Sequence, residues 1–562
     1  MKILLLSFAF LFVINVYAHS NVFLFFASNQ EFKDRYIIKI GNETNPSIMN
    51  GMITYTYDNA GRRTGMSLSN GIDSFAQANY TYDTRGRIAT VGNNTDTLTY
   101  TYVPGTNMIG SATWQNASIN TVNTYDQYKR LTNIAVNGAS VYGYTLNDKN
   151  QRTSATLPDG NKWNYTYDVM GQLTGAVKQD TANNPLANMN YFYDLIGNRT
   201  SATENSATTT YASNLVNQYT AINAVVPVYD LDGNMTNYNG WNYTYNGENR
   251  LIVAENAATG VRVEADYDYM GRRIFKKVYN NNTLMKHSLF VYDGFKQIAE
   301  FDALNNNTLK ASYLWQPVGL DVVLLRNNEY LVADGNKNII QVCNATGSVT
   351  DSYVYDPFGK VTHNGTSENP FQFSSEFFDD ETELVYYNYR YYNPNLGRWI
   401  NRDPIEEEGG WNLYVMVGNN TSNHWDFLGN RSYGERQRRQ AGQNYVNQGR
   451  WRNPSPLNLP FGSTGSGGLF ELLDMAISYR IKRDNISKIN QARSACRKKC
   501  KLGLCDYCCG IFFRYTRVRY NLASIMSFSV TFYKGKCNNS YIYAYEPGIS
   551  TTIENIPMKC QN

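Results

Sequence analysis

Residues 55–65 read YTYDNAGRRTG, and variants of this stretch recur through the first half of the chain. The strongest copies are YTYDTRGRIAT at 80–90, NTYDQYKRLTN at 123–133, YTYDVMGQLTG at 165–175, YFYDLIGNRTS at 191–201, YDLDGNMTN at 229–237, YTYNGENRLIV at 243–253 and ADYDYMGRRIF at 265–275. Weaker copies lie at 100–110 and 142–153. A short unit that recurs at a nearly fixed period indicates a repeat architecture.

Each copy predicts one β-hairpin. Alternating Tyr-x-Tyr is typical of a half-buried strand, Asp-x-x-Gly predicts a turn with a capping Asp and a Gly at positive φ, and Arg-apolar-Thr begins the return strand. An isolated hairpin is marginal in water, so we expect the hairpins to stack into one continuous sheet. Pairing of Asp with Arg across an exposed turn would add only about 0 to 1 kcal/mol, so turn formation explains these residues better.

Composition agrees with a β fold. The 562 residues are 42% hydrophobic, which excludes wholesale disorder, and they include 46 tyrosines. Tyrosine favours strands because its ring packs against neighbours while its hydroxyl stays hydrogen-bonded. The length suits a repeat array with an appended module.

The N-terminus predicts export. Lys2 precedes an apolar run at 3–13, and Val16-Tyr17-Ala18 follows. This pattern indicates a secretory signal peptide over 1–18 that is cleaved near Ala18, followed by an N-terminal segment at 19–50. A buried helix or a membrane anchor is less favoured, because the run is short and lacks basic residues on its far side. We therefore expect a secreted, extracellular or cell-surface protein.

The repeated unit resembles the YD repeat of the Rhs family. Residues 311–430 resemble the Rhs repeat-associated core, most specifically in ELVYYNYRYYNPNLGRWINRDP at 383–404. The resemblance implies a mainly β fold, in which residues 51–310 form a spiralling sheet shell of YD hairpins and 311–430 form a plug at its end. About 380 residues is short for a complete shell, so the shell is partial or is completed by another copy or a partner.

The resemblance also implies a self-cleaving site. In the family the core ends in two acidic turns about twenty residues apart, and several members cut the chain just after the second turn. By position the acids are Asp403 and Asp426, with Arg402 able to hold one carboxylate ionised, and the cut falls near Gly429. An aspartic-protease mechanism needs two carboxylates that share one proton.

Three departures from the family pattern weaken this assignment. Glu406 stands where Gly is common, Phe427 replaces Pro, and Asn430 occupies a position that is often apolar. Asp403 before Pro404 is also an ordinary turn sequence that needs no catalysis. Whether the core is an autoprotease therefore stays open at the level of the sequence.

The chain changes character after residue 430. Residues 1–430 contain 30 Lys and Arg residues and 40 Asp and Glu residues, so this part is acidic. Residues 431–562 contain 21 Lys and Arg residues and only 7 Asp and Glu residues, so this part is basic. Residues 431–468 read as a linker rich in Gly, Arg, Gln, Asn and Pro, and 469–562 as a small basic α+β domain. Apolar spacing over 469–492 favours a core-packing helix over a membrane-active one.

Seven of the eight cysteines lie in this last domain. An exported chain meets oxidising conditions and no histidine follows His424, so disulfides are favoured over a zinc site, and no metal or cofactor is predicted. Seven is odd, so one thiol remains free, pairs with another chain or bridges elsewhere. The disulfide candidates are Cys496, Cys500, Cys505, Cys508, Cys509, Cys537 and Cys560.

Two functions fit the sequence. The first is a polymorphic-toxin-like protein whose shell holds its own C-terminal domain and releases it, with an immunity protein and a target-cell component as further partners. The basic tail suits nucleic acid or an anionic surface, and it equally suits docking on the acidic body. The second is an extracellular binding or structural repeat protein, with the tail as a disulfide-stapled cap and no toxin activity.

Overall fold

The computed structural model describes residues 22–25, 35–42, 45–317 and 322–432. The predicted signal peptide lies outside the described residues. So do the C-terminal domain with its seven cysteines and nearly all of the predicted linker.

The first sheet is an antiparallel meander of 18 strands, in which each strand pairs with the next one along the chain. Its strands are β1 (Val22–Phe25), β2 (Arg35–Asn42), β3 (Asn45–Tyr57), β4 (Arg63–Ser69), β5 (Ser74–Tyr82), β6 (Ile88–Gly92), β7 (Thr97–Tyr102), β8 (Ile109–Trp114), β9 (Asn120–Tyr125), β10 (Leu131–Val136), β11 (Ala139–Leu146), β12 (Arg152–Thr156), β13 (Lys162–Tyr167), β14 (Leu173–Gln179), β15 (Pro185–Tyr193), β16 (Arg199–Glu204), β17 (Ala207–Ser213) and β18 (Tyr219–Ile222).

The second sheet continues the same meander with 14 strands. Its strands are β19 (Val228–Tyr229), β20 (Met235–Tyr238), β21 (Trp241–Tyr245), β22 (Leu251–Asn256), β23 (Val261–Tyr267), β24 (Arg273–Asn280), β25 (Thr283–Asp293), β26 (Lys296–Asp302), β27 (Thr308–Trp315), β28 (Val323–Arg326), β29 (Glu329–Ala333), β30 (Ile339–Cys343), β31 (Val349–Tyr355) and β32 (Val361–Asn364). The predicted boundary between array and core, at residue 310, falls inside β27.

Residues 371–430, named the core segment here, hold one four-stranded sheet and the first strand of a two-stranded sheet. The first contains β33 (Phe377–Asp379), β34 (Leu384–Tyr387), β35 (Arg390–Asn393) and β36 (Arg398–Trp399), and the second pairs β37 (Asp426–Phe427) with β38 (Arg431–Ser432). Short 3-10 helices lie at Phe373–Ser375, Glu406–Glu408 and Val417–Asn419. The described ranges contain no α-helix, so the prediction of a mainly β fold is confirmed.

No helix among the described residues is long and apolar enough to cross a membrane.

The repeated turn forms as the sequence predicts. In the first unit, Asp58 Oδ1 accepts the backbone N–H groups of Ala60 and Arg62, both at 2.9 Å, and Gly61 takes φ +74°. Asp58 Oδ2 accepts the Arg62 side chain at 2.7 Å. The same pattern recurs at Asp83, Asp126, Asp168, Asp194, Asp230 and Asp268, with Arg, Gln or Asn at the fifth position.

A second interaction ties each hairpin to the one before it. Tyr193, just before its turn Asp, donates its hydroxyl to the Leu173 carbonyl of the preceding unit at 2.7 Å. Leu173 lies two residues beyond the last ladder pair between β14 and β15, Gly175 with Asn190. The hydroxyl therefore caps a carbonyl that the splayed strands leave open. The same bond is made by Tyr82, Tyr102, Tyr125, Tyr167, Tyr245, Tyr267 and Tyr355.

The core segment lies against consecutive turns of the meander. Asn419 donates to the Gly197 carbonyl at 2.8 Å and to Gln172 at 3.0 Å, and Asn412 donates to Asn198 at 2.8 Å. Further along, Arg398 donates to the Asn217 carbonyl and Tyr414 to the Gly233 carbonyl, both at 2.7 Å. Four turns are thereby held side by side.

A buried ion cluster fixes the other end of the core segment. Arg273 of β24 pairs with Asp379 at 2.6 Å, and Lys276 pairs with Asp379 at 2.7 Å and with Glu381 at 2.6 Å. Lys276 and Lys286 lower the pKa of Glu381 to about 2 against its desolvation. Charges buried this deeply are tolerated because each has a partner.

Tyr193→Phe should lower the free energy of unfolding by about 1 kcal/mol, because the Leu173 carbonyl loses its donor while the ring stays in place. The midpoint of urea unfolding measures this change. Tyr128→Phe is the matched control, since that ring is 70% exposed and its substitution should leave the midpoint unchanged. Equal midpoints for both variants would show that the hydroxyl bond contributes nothing to stability.

Asp356→Asn should stabilise the fold above pH 6. Burial raises the pKa of Asp356 to about 6, so the folded state loses stability as the pH rises from about 4 to 6. Asparagine keeps the turn, as Asn147 does in an earlier unit, and removes this loss, which is worth about 3 kcal/mol.

Thermal unfolding at pH 4 and pH 7.5 tests this expectation, with the gain appearing only at the higher pH. Asp58→Asn is the control. In the wild type the Asp58 carboxylate pairs with Arg62 and its pKa is lowered, so this substitution should raise the melting temperature at neither pH. A gain of equal size at both pH values would contradict the assignment to Asp356 ionisation.

Candidate active site

The last turn of the described chain repeats the turn of the hairpins. Residues 426–430 read DFLGN, the pattern of DLIGN at 194–198 and DLDGN at 230–234. Asp426 Oδ1 accepts the backbone N–H of Asn430 at 3.0 Å, and Gly429 takes φ +74°. Leu428, at φ +68°, is held in the left-handed region that favours glycine, so the backbone is strained next to the predicted cut.

Asp403 is held by backbone bonds of its own. Its N–H donates to the Leu413 carbonyl at 3.0 Å, and its Oδ1 accepts the N–H of Ile405 at 3.0 Å. Trp399, four residues earlier, donates its N–H to the Tyr414 carbonyl at 3.0 Å and is fully buried. These contacts leave Oδ2 of Asp403 directed toward the interior of the core segment.

One guanidinium joins the predicted acids and the predicted cut. Arg390 Nη2 lies 2.9 Å from Asp403 Oδ2 and 3.4 Å from Asp426 Oδ2, so those two oxygens are at most 6.3 Å apart, the sum of the two distances. Arg390 Nε donates to the Gly429 carbonyl at 2.5 Å. The guanidinium also stacks 4.1 Å from the centroid of the Trp399 ring.

Burial controls the charges here. Arg390, Asp403 and Asp426 are all buried, and desolvation lowers the pKa of Arg390 although both aspartates oppose this shift. The guanidinium of Arg390 thus contacts both carboxyl groups in a buried region. Interactions of this kind are stronger in the interior than at the surface.

The structure brings Asp403, Asp426 and Gly429 together, as the positions taken from the family pattern require. The sequence analysis missed Arg390, which contacts all three. Its signal was its place in the most specific stretch, ELVYYNYRYYNPNLGRW, but only the folded chain shows where its side chain ends. A catalytic role for the two aspartates stays a prediction.

Arg402 occupies a different setting. It is exposed, and its methylene groups pack against Gly233, where a side chain would have no room. Arg390 is a buried cation within ion-pair distance of both acids, and the role predicted for Arg402 stays a prediction.

Glu406 stands where the family pattern commonly has glycine, and the structure shows how the turn forms without it. Glu406 follows Pro404 and Ile405 in the turn after Asp403 and takes φ +55°, the conformation that glycine adopts at the corresponding place in the repeated turns. Its N–H donates to the Asp403 carbonyl at 3.0 Å, as in those turns. The turn forms without glycine, at a cost in backbone strain.

Comparison with known proteins gives one family and several partial relatives. Residues 35–409 match the family model described as Teneurin YD-shell. Over 241 residues the chain is 27% identical to the tRNA nuclease WapA of Bacillus subtilis (strain 168), covering 40% of this chain and 10% of that protein. Over 230 residues it is 28% identical to the Double-stranded DNA deaminase toxin A of Burkholderia cenocepacia (strain H111), covering 34% and 16%.

The chain therefore spans only about a tenth to a sixth of the length of these relatives. Among solved structures, the crystal structure of TcdB2-TccC3 without its hypervariable C-terminal region aligns with 70% of this chain and 21% of its own chain. The sequence identity is 18% and the TM-score is 0.46.

Glu406→Gly should raise the free energy of unfolding by about 1 kcal/mol, because glycine adopts positive φ without steric cost. Thermal unfolding measures the change. Glu407→Gly in the same exposed 3-10 turn is the matched control and should give no gain, since position 407 has no positive φ. A gain at 407 equal to that at 406 would refute strain as the cause.

Proposed function

The chain belongs to the Teneurin YD-shell family, and we propose that it is a toxin-type carrier that cuts itself near Gly429 and frees the basic segment behind the cut. The observation that supports this most directly is the set of contacts made by Arg390, which joins Asp403, Asp426 and the Gly429 carbonyl. A shell that only encloses its cargo has no need for two buried acids at the point where the composition of the chain changes.

In the proposed reaction Arg390 polarises the Gly429 carbonyl, since a hydrogen bond to that oxygen also stabilises the charge that develops on it. Asp403 takes a proton from a water molecule whose oxygen attacks the Gly429 carbonyl carbon. The bond to the Asn430 nitrogen then breaks, and that proton passes to the nitrogen. The products are a carboxyl terminus at Gly429 and an amino terminus at Asn430.

Asp426 has a different part in this scheme. Its Oδ1 already accepts the Asn430 N–H, so it fixes the orientation of the leaving nitrogen. The left-handed backbone at Leu428 stores strain that cleavage would release. The two acids thus act at opposite ends of the scissile bond, which explains why they need not share a proton directly.

The carrier part of the proposal rests on the family and on the arrangement of the core segment. The meander of YD hairpins would spiral into a shell, with residues 371–430 as the plug against its turns and with a second copy or a partner completing the wall. Two relatives are by name a tRNA nuclease and a DNA deaminase toxin, which supports an effector role for the basic segment 431–562. Export by the predicted signal peptide and a neutralising immunity protein belong to the same proposal.

The second candidate function is a binding or structural protein without cleavage. It is favoured by the same Arg390 contacts, because a buried guanidinium that binds two acids and a carbonyl also serves as a clasp that closes the core segment. The two functions differ in whether the chain is cut.

Purified full-length protein should run as two fragments on a denaturing gel, and mass spectrometry should place the new amino terminus at or within a few residues of Asn430. Asp403→Asn should remain a single full-length band, because asparagine cannot accept the proton from water. Asp426→Asn should slow cleavage less, since its amide oxygen can still accept the Asn430 N–H.

Glu407→Gln is the matched control, because it removes an exposed carboxylate that lies between the two acids in sequence. This variant should be cut like the wild type. A single uncut band for the wild type, together with a lower melting temperature for Asp403→Asn, would support the structural function and overturn the carrier that cuts itself. Circular dichroism confirms in each case that the β fold is retained.

A further inference from the structure

A row of exposed apolar side chains runs along one rim of the meander. The turns at 168–171, 194–197, 214–217 and 230–233 each join an odd-numbered strand to the next even-numbered one, so they lie on the same rim. Val169, Leu195, Leu215 and Leu231 stand at the second position of these turns and are each 93% or more exposed. Together with Met170 and Trp411 they are named the rim row here.

Contacts made from the inner side prove that these turns are neighbours. Asn419 bridges Gln172 and the Gly197 carbonyl, and Asn198 donates to Asn217 Oδ1 at 2.9 Å. The rim row continues onto the core segment, because Asn412, which follows Trp411, donates to the Ile196 carbonyl at 3.3 Å. Trp411 is itself 81% exposed.

The turn itself does not require apolar tips. The Asp or Asn at the first position accepts backbone N–H groups, so the second and third positions are free to hold any residue. In the same chain Asp148 and Lys149 occupy them in one turn, and Gly247 and Glu248 in another. Four neighbouring turns with exposed aliphatic tips are therefore a local feature that hairpin formation does not explain.

We propose that the rim row docks on the surface of a lipid bilayer. Neighbouring hairpins lie about 10 Å apart, twice the strand spacing, so the row is a narrow strip about 30 Å long. The exposed tips belong to four separate turns, whereas a stable protein interface buries about 800 Å² on each partner with close complementarity. A deformable apolar phase can take up separate projecting side chains, and Trp411 at the end of the row suits the interface between water and lipid.

Charge identifies the kind of bilayer. The second and third positions of the four turns carry one charged residue, Asp232, and no Lys or Arg. Residues 1–430 contain more acidic than basic side chains. The tips of these four turns therefore offer no basic side chain to attract anionic lipid, and the burial of apolar side chains in zwitterionic lipid is the driving interaction. This docking does not depend on the proposed cleavage.

The test is flotation of the full-length protein with vesicles of phosphatidylcholine, read on the gel band that contains the β meander. The wild type should float, and its bound fraction should not fall as the salt concentration rises from about 0.1 to 0.5 M. Leu195→Asp with Leu215→Asp should reduce the partition coefficient at least about tenfold, since withdrawing one leucine from an apolar phase has an effect of this size. Aspartate is compatible with the fold there because Asp148 occupies the same turn position.

Ile72→Asp is the matched control, because Ile72 is 93% exposed in the turn between β4 and β5 on the opposite rim and its substitution should leave flotation unchanged. A second variant, Val169→Asp with Met170→Lys, copies the natural pair Asp148 and Lys149 and should also reduce flotation.

Three results would overturn the proposal. They are failure of the wild type to float, flotation that requires anionic lipid or disappears in salt, and flotation that the variants do not reduce. A dimer that the variants dissociate, while flotation stays unchanged, would assign the row to contact between two copies.

Discussion

The hydrogen bond from the second tyrosine of each unit to a carbonyl of the preceding unit is the interaction on which the repeat depends. The bulge beside each turn ends the ladder between neighbouring hairpins two residues early, and it leaves a carbonyl without a strand partner. The tyrosine fills this gap with its ring and caps the carbonyl with its hydroxyl. A hairpin that is marginal alone is thus fixed to its neighbour at the rim where the sheet would otherwise splay.

The fifth residue of each turn makes contacts beyond the turn itself. Where it is Arg, as at Arg62 and Arg87, the side chain pairs with its own turn Asp and stacks on the tyrosine of the next unit. Where it is Gln172 or Asn198, the short amide leaves room for an asparagine of the core segment. Arg250, also at a fifth position, instead donates to the Asn388 carbonyl at 2.9 Å, so an Arg there can also bind the core segment.

This difference explains what the sequence could and could not predict. The hairpins and the Asp-centred turns follow from contacts within a few residues, and they were predicted correctly from the repeated unit. The positive φ of Lys129 and Asn150 could not be predicted from the sequence, because neither residue is glycine. Hydrogen bonds accepted by the side chains of Asp126 and Asn147 hold these two turns in place. The contacts of Arg390 could not be predicted from the sequence either. Its three partners lie between 13 and 39 residues away along the chain, and only tertiary packing brings them to one guanidinium.

The last turn differs from the repeated turn in what its Asp Oδ2 contacts. In DLIGN at 194–198 the Asp194 Oδ2 accepts the side-chain amide of Asn198 at 2.9 Å, which completes the turn. In DFLGN at 426–430 the Asp426 Oδ2 lies instead within reach of Arg390, whose Nε also holds the Gly429 carbonyl. A buried cation thereby links an acid and the backbone carbonyl three residues later, while Asp403 supplies a second carboxylate to the same Nη2. The repeated turn already places the N–H of its fifth residue on its Asp, so the proposed cleavage would add to this turn only the cation and the second acid.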